Sequence, residues 1–142
     1  MSDVTSATFS LVDYKFPNVM MNGANQPKSD ILSINFKTEG SYNESTGRFE
    51  LLFTTFVSEK GMEPFISVLC LAQYQFTEKV VLNSIPDYFY ANSIAILFPY
   101  VRAYISLLTT QANQKAVILP TLNLTPLAAE LQKNTKISYA EN

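Results

Sequence analysis

The segment 93–110, SIAILFPYVRAYISLLTT, has the spacing of a helix but is apolar around most of its circumference. One apolar stripe consists of Ile94, Leu97, Val101, Ile105 and Leu108. A second stripe consists of Ile96, Tyr100, Ala103 and Leu107. Because one face of a sheet in a small domain can cover only one stripe, the second stripe predicts contact with another subunit. We therefore expect an oligomer interface at Ile96, Tyr100 and Leu107.

Two residues in this segment predict where the helix begins and how it is shaped. Ser93 can accept a hydrogen bond from a free amide of the first turn, so it is predicted to cap a helix that ends near Thr110. Pro99 lacks an amide hydrogen and its ring crowds the preceding turn, so a kink is predicted there.

The chain before the helix predicts four strands, of which the first is irregular. Segment 8–16 alternates, but its apolar phase changes between Leu11 and Val12, which indicates a bulge. Pro17 either ends this strand or marks it as an edge strand.

The other three predicted strands follow one another closely. Segment 31–42 alternates between an apolar and a polar face, and the turn residues of 43–47 predict a hairpin with 48–58. Segment 64–76 is apolar on both faces at its centre. Its second face therefore needs cover, which again points to another subunit.

Two further segments surround the long helix. Segment 77–92 has no clear period and is predicted to be an irregular crossover with a short helix after Pro86. Segment 115–135 predicts an extended piece and then a short helix, with Thr125 as N-cap and Pro126 at the first helical position.

The final segment, 135–142, predicts a frayed end. No break in composition divides the chain, so 1–142 is predicted to be a single domain. The predicted fold class is α+β, with a four-stranded antiparallel sheet, a crossover, a long kinked helix and a short C-terminal helix.

Composition excludes several classes of function. Ten Lys and Arg against twelve Asp and Glu, without a basic run, do not suit a nucleic-acid partner. With no histidine and one cysteine the usual zinc sets cannot form, and none of the four glycines lies in a phosphate-binding pattern. Cys70 is predicted to be a small core residue, and no carboxylate pair suggests acid-base catalysis. We expect no metal, no cofactor and no enzymatic activity.

The location of the chain is predicted from its apolar runs. The first ten residues lack the basic and apolar regions of a signal peptide. We therefore expect the protein to stay in the cytoplasm and not to be exported. Arg102 interrupts the longest apolar run, so a membrane span is not predicted.

Two motifs resemble the SecB protein-export chaperones. Segment 97–102, LFPYVR, resembles the Leu-Phe-Pro-Tyr-Ala-Arg signature of that family's long helix. Segment 118–127, ILPTLNLTPL, is similar to its Pro-x-(Val/Leu)-Asn-Phe segment before the last helix. The resemblance implies a homotetramer built as a dimer of dimers, which holds unfolded polypeptides without ATP and passes them to the SecA motor.

A client site is predicted in a groove bounded by the second strand and the crossover, where apolar rings meet a sheet edge. Its predicted residues are Phe36, Tyr74, Phe76, Leu82, Ile85, Tyr88 and Phe89. For Tyr88, Phe89 and Tyr90, core or subunit packing is the favoured interpretation, because buried rings are the default. The rings of Tyr14 and Phe16 are the next candidates.

Three functions remain open from the sequence. The first is a SecB-like chaperone for secretory or aggregation-prone chains. The second, on the same fold, is a dedicated chaperone of one partner, such as the antitoxin of a toxin-antitoxin pair. The third is a carrier of a small apolar ligand between the sheet and the long helix.

Overall fold

A hairpin organises the sheet, and its turn follows from the side chain of Asn43. The Asn43 Oδ1 atom accepts hydrogen bonds from the amides of Ser45 (2.9 Å) and Thr46 (3.2 Å). Gly47 follows with a φ of 73°, a left-handed conformation that suits a residue without Cβ. The hairpin predicted at this turn is confirmed.

The computed structural model describes residues 9–22 and 31–139. Its elements are β1 (Phe9–Met21), β2 (Leu32–Asn43), β3 (Arg48–Glu59), β4 (Ile66–Phe76), α1 (Asp87–Gln111), α2 (Leu124–Lys133) and β5 (Thr135–Ile137), with a short 3₁₀ turn at Leu82–Ser84. Residue 8, where the first strand was predicted to begin, and residues 140–142 of the predicted frayed end lie outside the described residues.

The sheet has the strand order β1-β4-β3-β2-β5. Its first four strands pair antiparallel, as predicted. The predicted four-stranded sheet is nevertheless wrong in one respect, because β5 adds a fifth strand that runs parallel to β2. The segment predicted to fray is held there by hydrogen bonds to the edge of β2.

The irregularity predicted in the first strand is confirmed. The register between β1 and β4 shifts between Leu11 and Asp13, and again between Lys15 and Asn18 on either side of Pro17. β1 lies at the edge of the sheet, where a proline costs no hydrogen bond to a further strand.

Helix α1 begins earlier than predicted. Its N-cap is Pro86 and its first residue is Asp87, whose carboxylate is favourable near the positive end of the helix dipole. Ser93 is therefore no cap: it is buried inside the helix, and its hydroxyl donates to the Tyr90 carbonyl at 3.1 Å. The helix continues through Pro99 to Gln111, and the predicted kink stays a prediction.

Helix α2 begins one residue before the predicted cap. Asn123 is the N-cap, and its side chain accepts from the Thr125 amide at 3.3 Å, so Thr125 lies within the first turn. The buried Leu131 fixes the helix against the core, and Thr38 of β2 donates to Leu127 O (3.4 Å) and Glu130 Oε2 (3.2 Å). α2 therefore lies on the same face of the sheet as α1, beside β2.

The core lies between this face of the sheet and one stripe of α1. Ile94, Leu97, Val101 and Ile105 of the predicted inner stripe are fully buried. Burial of each such side chain is worth about 1.5 to 3 kcal/mol.

By length and composition alone, α1 is apolar enough to cross a membrane. The core helix of a soluble protein meets the same test, so a single helix of this kind is weak support for a span.

The buried hydroxyl of Tyr74 ties the sheet to α1 and gives a first prediction. It donates to the Ser93 carbonyl at 2.6 Å. We expect Tyr74→Phe to lower the free energy of unfolding by about 1 to 2 kcal/mol, because a buried acceptor loses its donor. Chemical denaturation followed by circular dichroism measures this change. Tyr139→Phe is the control, because Tyr139 is 87% exposed; an equal loss in both variants would contradict the assignment.

The same hydroxyl predicts a pH dependence. Burial, and then the neighbouring Cys70, raise the pKa of Tyr74 above its ordinary value. The unfolded chain therefore loses this proton first, near pH 10, and the stability contributed by the neutral phenol falls as the pH rises above that value. Tyr74→Phe should flatten this alkaline decline in denaturation midpoints measured between pH 8 and 11.

Candidate functional site

A cluster of aromatic rings around Phe89 occupies the end of the core beneath the crossover. The Phe89 ring centroid lies 4.7 Å from those of Phe9 and Phe49 and 4.8 Å from that of Phe76. Tyr74 joins the cluster at 5.8 Å from Phe89. These edge-to-face and tilted pairs stabilise the core beyond simple area burial.

Four of the predicted client-contact residues belong to this interior. Tyr74, Phe76, Ile85 and Phe89 are each at most 5% exposed in this chain. A side chain without surface cannot touch a client in this conformation, so their burial gives them a packing role. The contact role stays a prediction for the other three, Phe36, Leu82 and Tyr88.

Those three residues lie on three different elements and are exposed or half-buried. Tyr88 is 51% exposed on the first turn of α1, and Leu82 is half-buried in the 3₁₀ turn of the crossover. The Leu82 amide donates to the Glu44 carboxylate at 2.7 Å, which holds the crossover to the hairpin turn. Phe36 is half-buried on β2. The structure therefore does not bring the seven predicted residues together on one surface.

Within residues 9–22 and 31–139, the backbone of β2 leaves part of a regular sheet edge without a neighbouring strand. β2 pairs with β3 without a register shift from Leu32 to Asn43. On its other side, strand pairing in the described chain is confined to Gly40–Tyr42, which pair with β5. The Thr38 carbonyl accepts from the Asn134 side chain at 3.3 Å. We call the remaining stretch, Leu32–Lys37, the open edge.

The open edge is a better template for a further strand than β1, the strand at the opposite side of the sheet. Edge strands discourage pairing by bulges, prolines and twists, and β1 has two register shifts and Pro17. The open edge has neither. The Gly40 amide donates to Asn134 O at 3.2 Å, so the two-residue period of the strand directs the backbone groups of Ile34 and Phe36 outward as well.

Apolar side chains lie directly beside the open edge. Ile34 and Phe36 are half-buried and project toward the helices. The Phe36 ring lies 5.3 Å from that of Phe53 and 6.0 Å from that of Phe98 on α1. α2 adds Leu127, whose carbonyl accepts from Thr38. Backbone hydrogen bonds and apolar contacts are thus available along one line.

The three predicted interface residues lie together on the outer side of α1. In this single chain Ile96 and Tyr100 are 40% and 43% exposed, and Leu107 is 55% exposed. Their spacing places them on one face of the helix, away from the buried stripe. Their role as an oligomer interface stays a prediction.

The candidate rings of β1 pack against the flank of α1. Tyr14 stacks on Tyr100 at 4.5 Å, and Phe16 stacks on Tyr104 at 4.0 Å. Tyr14 and Phe16 are half-buried there. They extend the apolar surface of α1 toward the β1 edge.

The sheet face opposite the helices is apolar at its centre. Leu52 pairs across from Leu71, and Leu69 and Phe56 continue the patch on the same face. These side chains are half-buried by their neighbours within the sheet. The prediction that β4 is apolar on both faces is therefore confirmed, whereas the predicted cover of its second face stays a prediction.

A polar depression of about 440 Å³ lies on that outer face near the hairpin turn. Its lining consists of Ser41, Asn43, Thr46, Arg48, Glu50, Gln73 and Ser138. Arg48 donates from Nη1 to Gln73 at 2.7 Å and from Nε to Gln75 at 3.0 Å. These two acceptors fix the Arg48 guanidinium in place. The lining of the depression suits a polar rather than an apolar ligand.

The described residues offer little support for a catalytic site. Burial raises the pKa of the Cys70 thiol to about 12, so it is protonated and unreactive at neutral pH. Among residues 9–22 and 31–139, no group of His, Cys, Asp and Glu could hold a metal ion.

Comparison with known proteins gives one relative by sequence. No family model matches the chain. It is 33% identical to the uncharacterized protein MJ0357 of Methanocaldococcus jannaschii over 107 residues, which span 72% of this chain and 68% of the relative. The chain belongs to the MJ0357 family.

Comparison by structure identifies the fold of this MJ0357 family member. It matches the Rv1957 SecB-like chaperone of Mycobacterium tuberculosis, solved in complex with a ChAD peptide from the Rv1956 HigA1 antitoxin. The TM-score is 0.64 at 13% identity, and the match covers 82% of this chain and 91% of the other. The fold is therefore SecB-like, as the two motifs predicted.

Two parts of this site were not predicted from the sequence. Predicting the open edge requires the position of β2 near the side of the sheet, and the alternation of apolar and polar residues does not reveal that position. The polar depression combines residues of β2, β3, β4 and the segment after β5, so it depends on strand order. Gly40 was a usable signal, since a glycine within a strand often marks close packing by another segment, and the side chains of Thr135 and Phe49 lie there.

Proposed function

We propose that this chain is an ATP-independent chaperone that binds unfolded or aggregation-prone polypeptides. The observation that carries the proposal is the open edge of β2 beside half-buried apolar side chains, on a SecB-like fold. Main-chain hydrogen bonds to such an edge are independent of the client's sequence, while neighbouring apolar surface accepts its alternate side chains. That combination suits clients that share little except being unfolded.

The assembly we propose is a homotetramer built as a dimer of dimers. The exposed apolar side of α1 supports a subunit contact, and several identical edges in one assembly would raise the avidity for a long unfolded chain. We place this assembly in the cytoplasm, with export clients and the SecA motor as its expected partners. We place the SecA contact on the outer sheet face, which combines an apolar patch with Lys37 and Glu39, an ion pair at 3.2 Å.

A dedicated antitoxin chaperone is the second candidate function. The observation that favours it is the antitoxin peptide bound by the structural neighbour. This candidate predicts a strong preference for one partner peptide over unrelated unfolded chains. The third candidate, an apolar-ligand carrier, has weaker support, because its ligand would lie between the sheet and α1, where Leu97, Val101 and Ile105 are already fully buried.

Suppression of aggregation tests the proposed function. A chemically unfolded enzyme is diluted into buffer with and without an equimolar amount of the chain, and light scattering follows its aggregation. We expect strong suppression that is the same with and without ATP. Unchanged aggregation would overturn the proposal, and suppression that requires ATP would overturn its passive mechanism.

A pair of substitutions tests the role of the open edge. Ile34→Pro removes an outward amide, whereas Ile34→Ala keeps that amide and shortens the side chain. Because an edge strand tolerates proline where its amide faces solvent, the fold should persist in both variants. We expect Ile34→Pro to weaken client binding by about tenfold or more and Ile34→Ala by less, since strand addition depends on the backbone. Binding titrations measure the difference, and equal losses would contradict strand addition at this edge.

A further inference from the structure

Strand β5 occupies the end of the same sheet edge that forms the open edge. It pairs with Gly40–Tyr42, which are separated from Leu32–Lys37 by two residues of β2. The residues on either side of it also bond to β2: the Gly40 amide donates to Asn134 O (3.2 Å), and the Ser138 amide donates to Tyr42 O (2.8 Å). The segment thus holds the position that an added polypeptide strand would need in order to continue past Lys37.

The attachment of β5 is slight compared with that of the other strands. It has three residues, of which Lys136 and Ile137 are exposed. Its first residue, Thr135, donates a hydrogen bond from its hydroxyl to Leu131 O of α2 at 2.6 Å. Short edge segments with few buried contacts open at low free energy, and the anchored α2 need not move when β5 leaves.

The fit between β5 and β2 depends on Gly40. A Cβ atom at this position would lie 2.5 Å from Thr135 Oγ1 and 2.6 Å from Phe49 Cζ. The side chains of Thr135 and Phe49 therefore fill the space that a Cβ atom at Gly40 would need. Gly40 thus lets the Thr135 side chain of β5 pack directly against β2.

We propose that β5 is a built-in competitor of the client, a displaceable strand that a bound polypeptide replaces on β2. The inference rests on the proposed function and adds a regulation to it. With β5 in place an added strand can pair along the open edge only. With β5 released the pairing can continue to Tyr42, so the chain binds long extended segments better than short ones.

Three variants test this competition. Truncation after Thr135 removes most of β5 but keeps the bond to Leu131. Lys136→Pro removes the amide that the two-residue period directs toward β2, and Ile137→Pro is the matched control because its amide is directed away. In the third variant, S41C with K136C, a disulfide joins two residues that are direct partners in the parallel pair and holds β5 in place.

The probe is a reduced and carboxymethylated protein, which stays unfolded in buffer, and fluorescence anisotropy gives the dissociation constant. We expect truncation and Lys136→Pro to tighten binding by about fivefold or more. In the parent chain, the fraction of molecules with β5 paired to β2 lowers the apparent affinity for the probe, and these variants remove that fraction. Ile137→Pro should bind like the parent chain. The oxidised double-cysteine variant should bind more weakly, and reduction should restore its affinity.

The two proposals fail in different ways. If the parent chain and every variant fail to bind the probe, the proposed function is overturned. If the parent binds, but release and locking of β5 leave the dissociation constant unchanged, the competition is overturned and the proposed function stands. Weaker binding after truncation would also overturn it, since β5 would then belong to the client site.

Discussion

Replacing Phe89 by alanine should lower the free energy of unfolding by about 3 to 5 kcal/mol. The ring is fully buried at the centre of the aromatic cluster, within 5 Å of the rings of Phe9, Phe49 and Phe76. Its loss leaves a cavity among large rigid rings that cannot readily collapse. Denaturant titration followed by circular dichroism, at one fixed chain concentration, measures the effect.

Tyr88→Ala is the matched control for this experiment. Tyr88 precedes Phe89 on the same helical turn but is 51% exposed. We expect it to change the free energy of unfolding by less than about 1 kcal/mol. If Phe89→Ala were as stable as this control and bound clients more weakly, Phe89 would be a contact residue and its packing role would be wrong.

Replacing Leu107 by aspartate should dissociate the proposed tetramer. Leu107 lies beside Ile96 and Tyr100 on the exposed side of α1, and the single chain leaves it 55% exposed. The substitution therefore leaves the fold of one chain intact. In a subunit interface, however, it would bury an unpaired carboxylate, which costs several kcal/mol.

Sedimentation at micromolar concentration measures the result. The parent chain should have the mass of four subunits, and Leu107→Asp a smaller mass with an unchanged circular dichroism spectrum. Met62→Asp is the control, because it makes the same chemical change at a residue that is 65% exposed in the turn before β4. A monomeric parent chain, or a Leu107→Asp variant that remains a tetramer, would contradict the predicted interface.

The parts of the fold that were predicted correctly carry strong local signals. The turn at Asn43 and Gly47 combines a side chain that accepts backbone amides with a glycine at positive φ. The change of phase at Val12 marks the register shift of β1, because two-residue alternation fails wherever an extra residue enters a strand.

The parts that were missed depend on contacts between distant segments. β5 has three residues and no pattern of its own, so its pairing exists only because β2 offers an edge next to Gly40. The start of α1 was placed too late because segment 77–92 has no clear period, although Phe89 packs against the rings of Phe49 and Phe76 on the same sheet face that buries the later turns.

The candidate site was the least predictable part. Tyr74 and Phe76 have the same strand phase as Cys70 and Ala72, and this phase faces the core along the whole of β4. The sequence contained this signal, but the high aromatic content suggested that some rings were exposed. No local pattern encodes the strand order, and the strand order decides that β2 carries the open edge.

The most direct test of the account compares binding to one protein in two states. A disulfide-bonded client protein is labelled and the sample is divided in two. One portion is reduced and carboxymethylated so that it stays unfolded, and the other portion remains native. Fluorescence anisotropy is then recorded as the chain is added to each form without nucleotide. We predict saturable binding of the unfolded form and none of the native form. Equal binding of both forms, or binding of neither, would contradict the proposal that this chain is a chaperone for unfolded polypeptides.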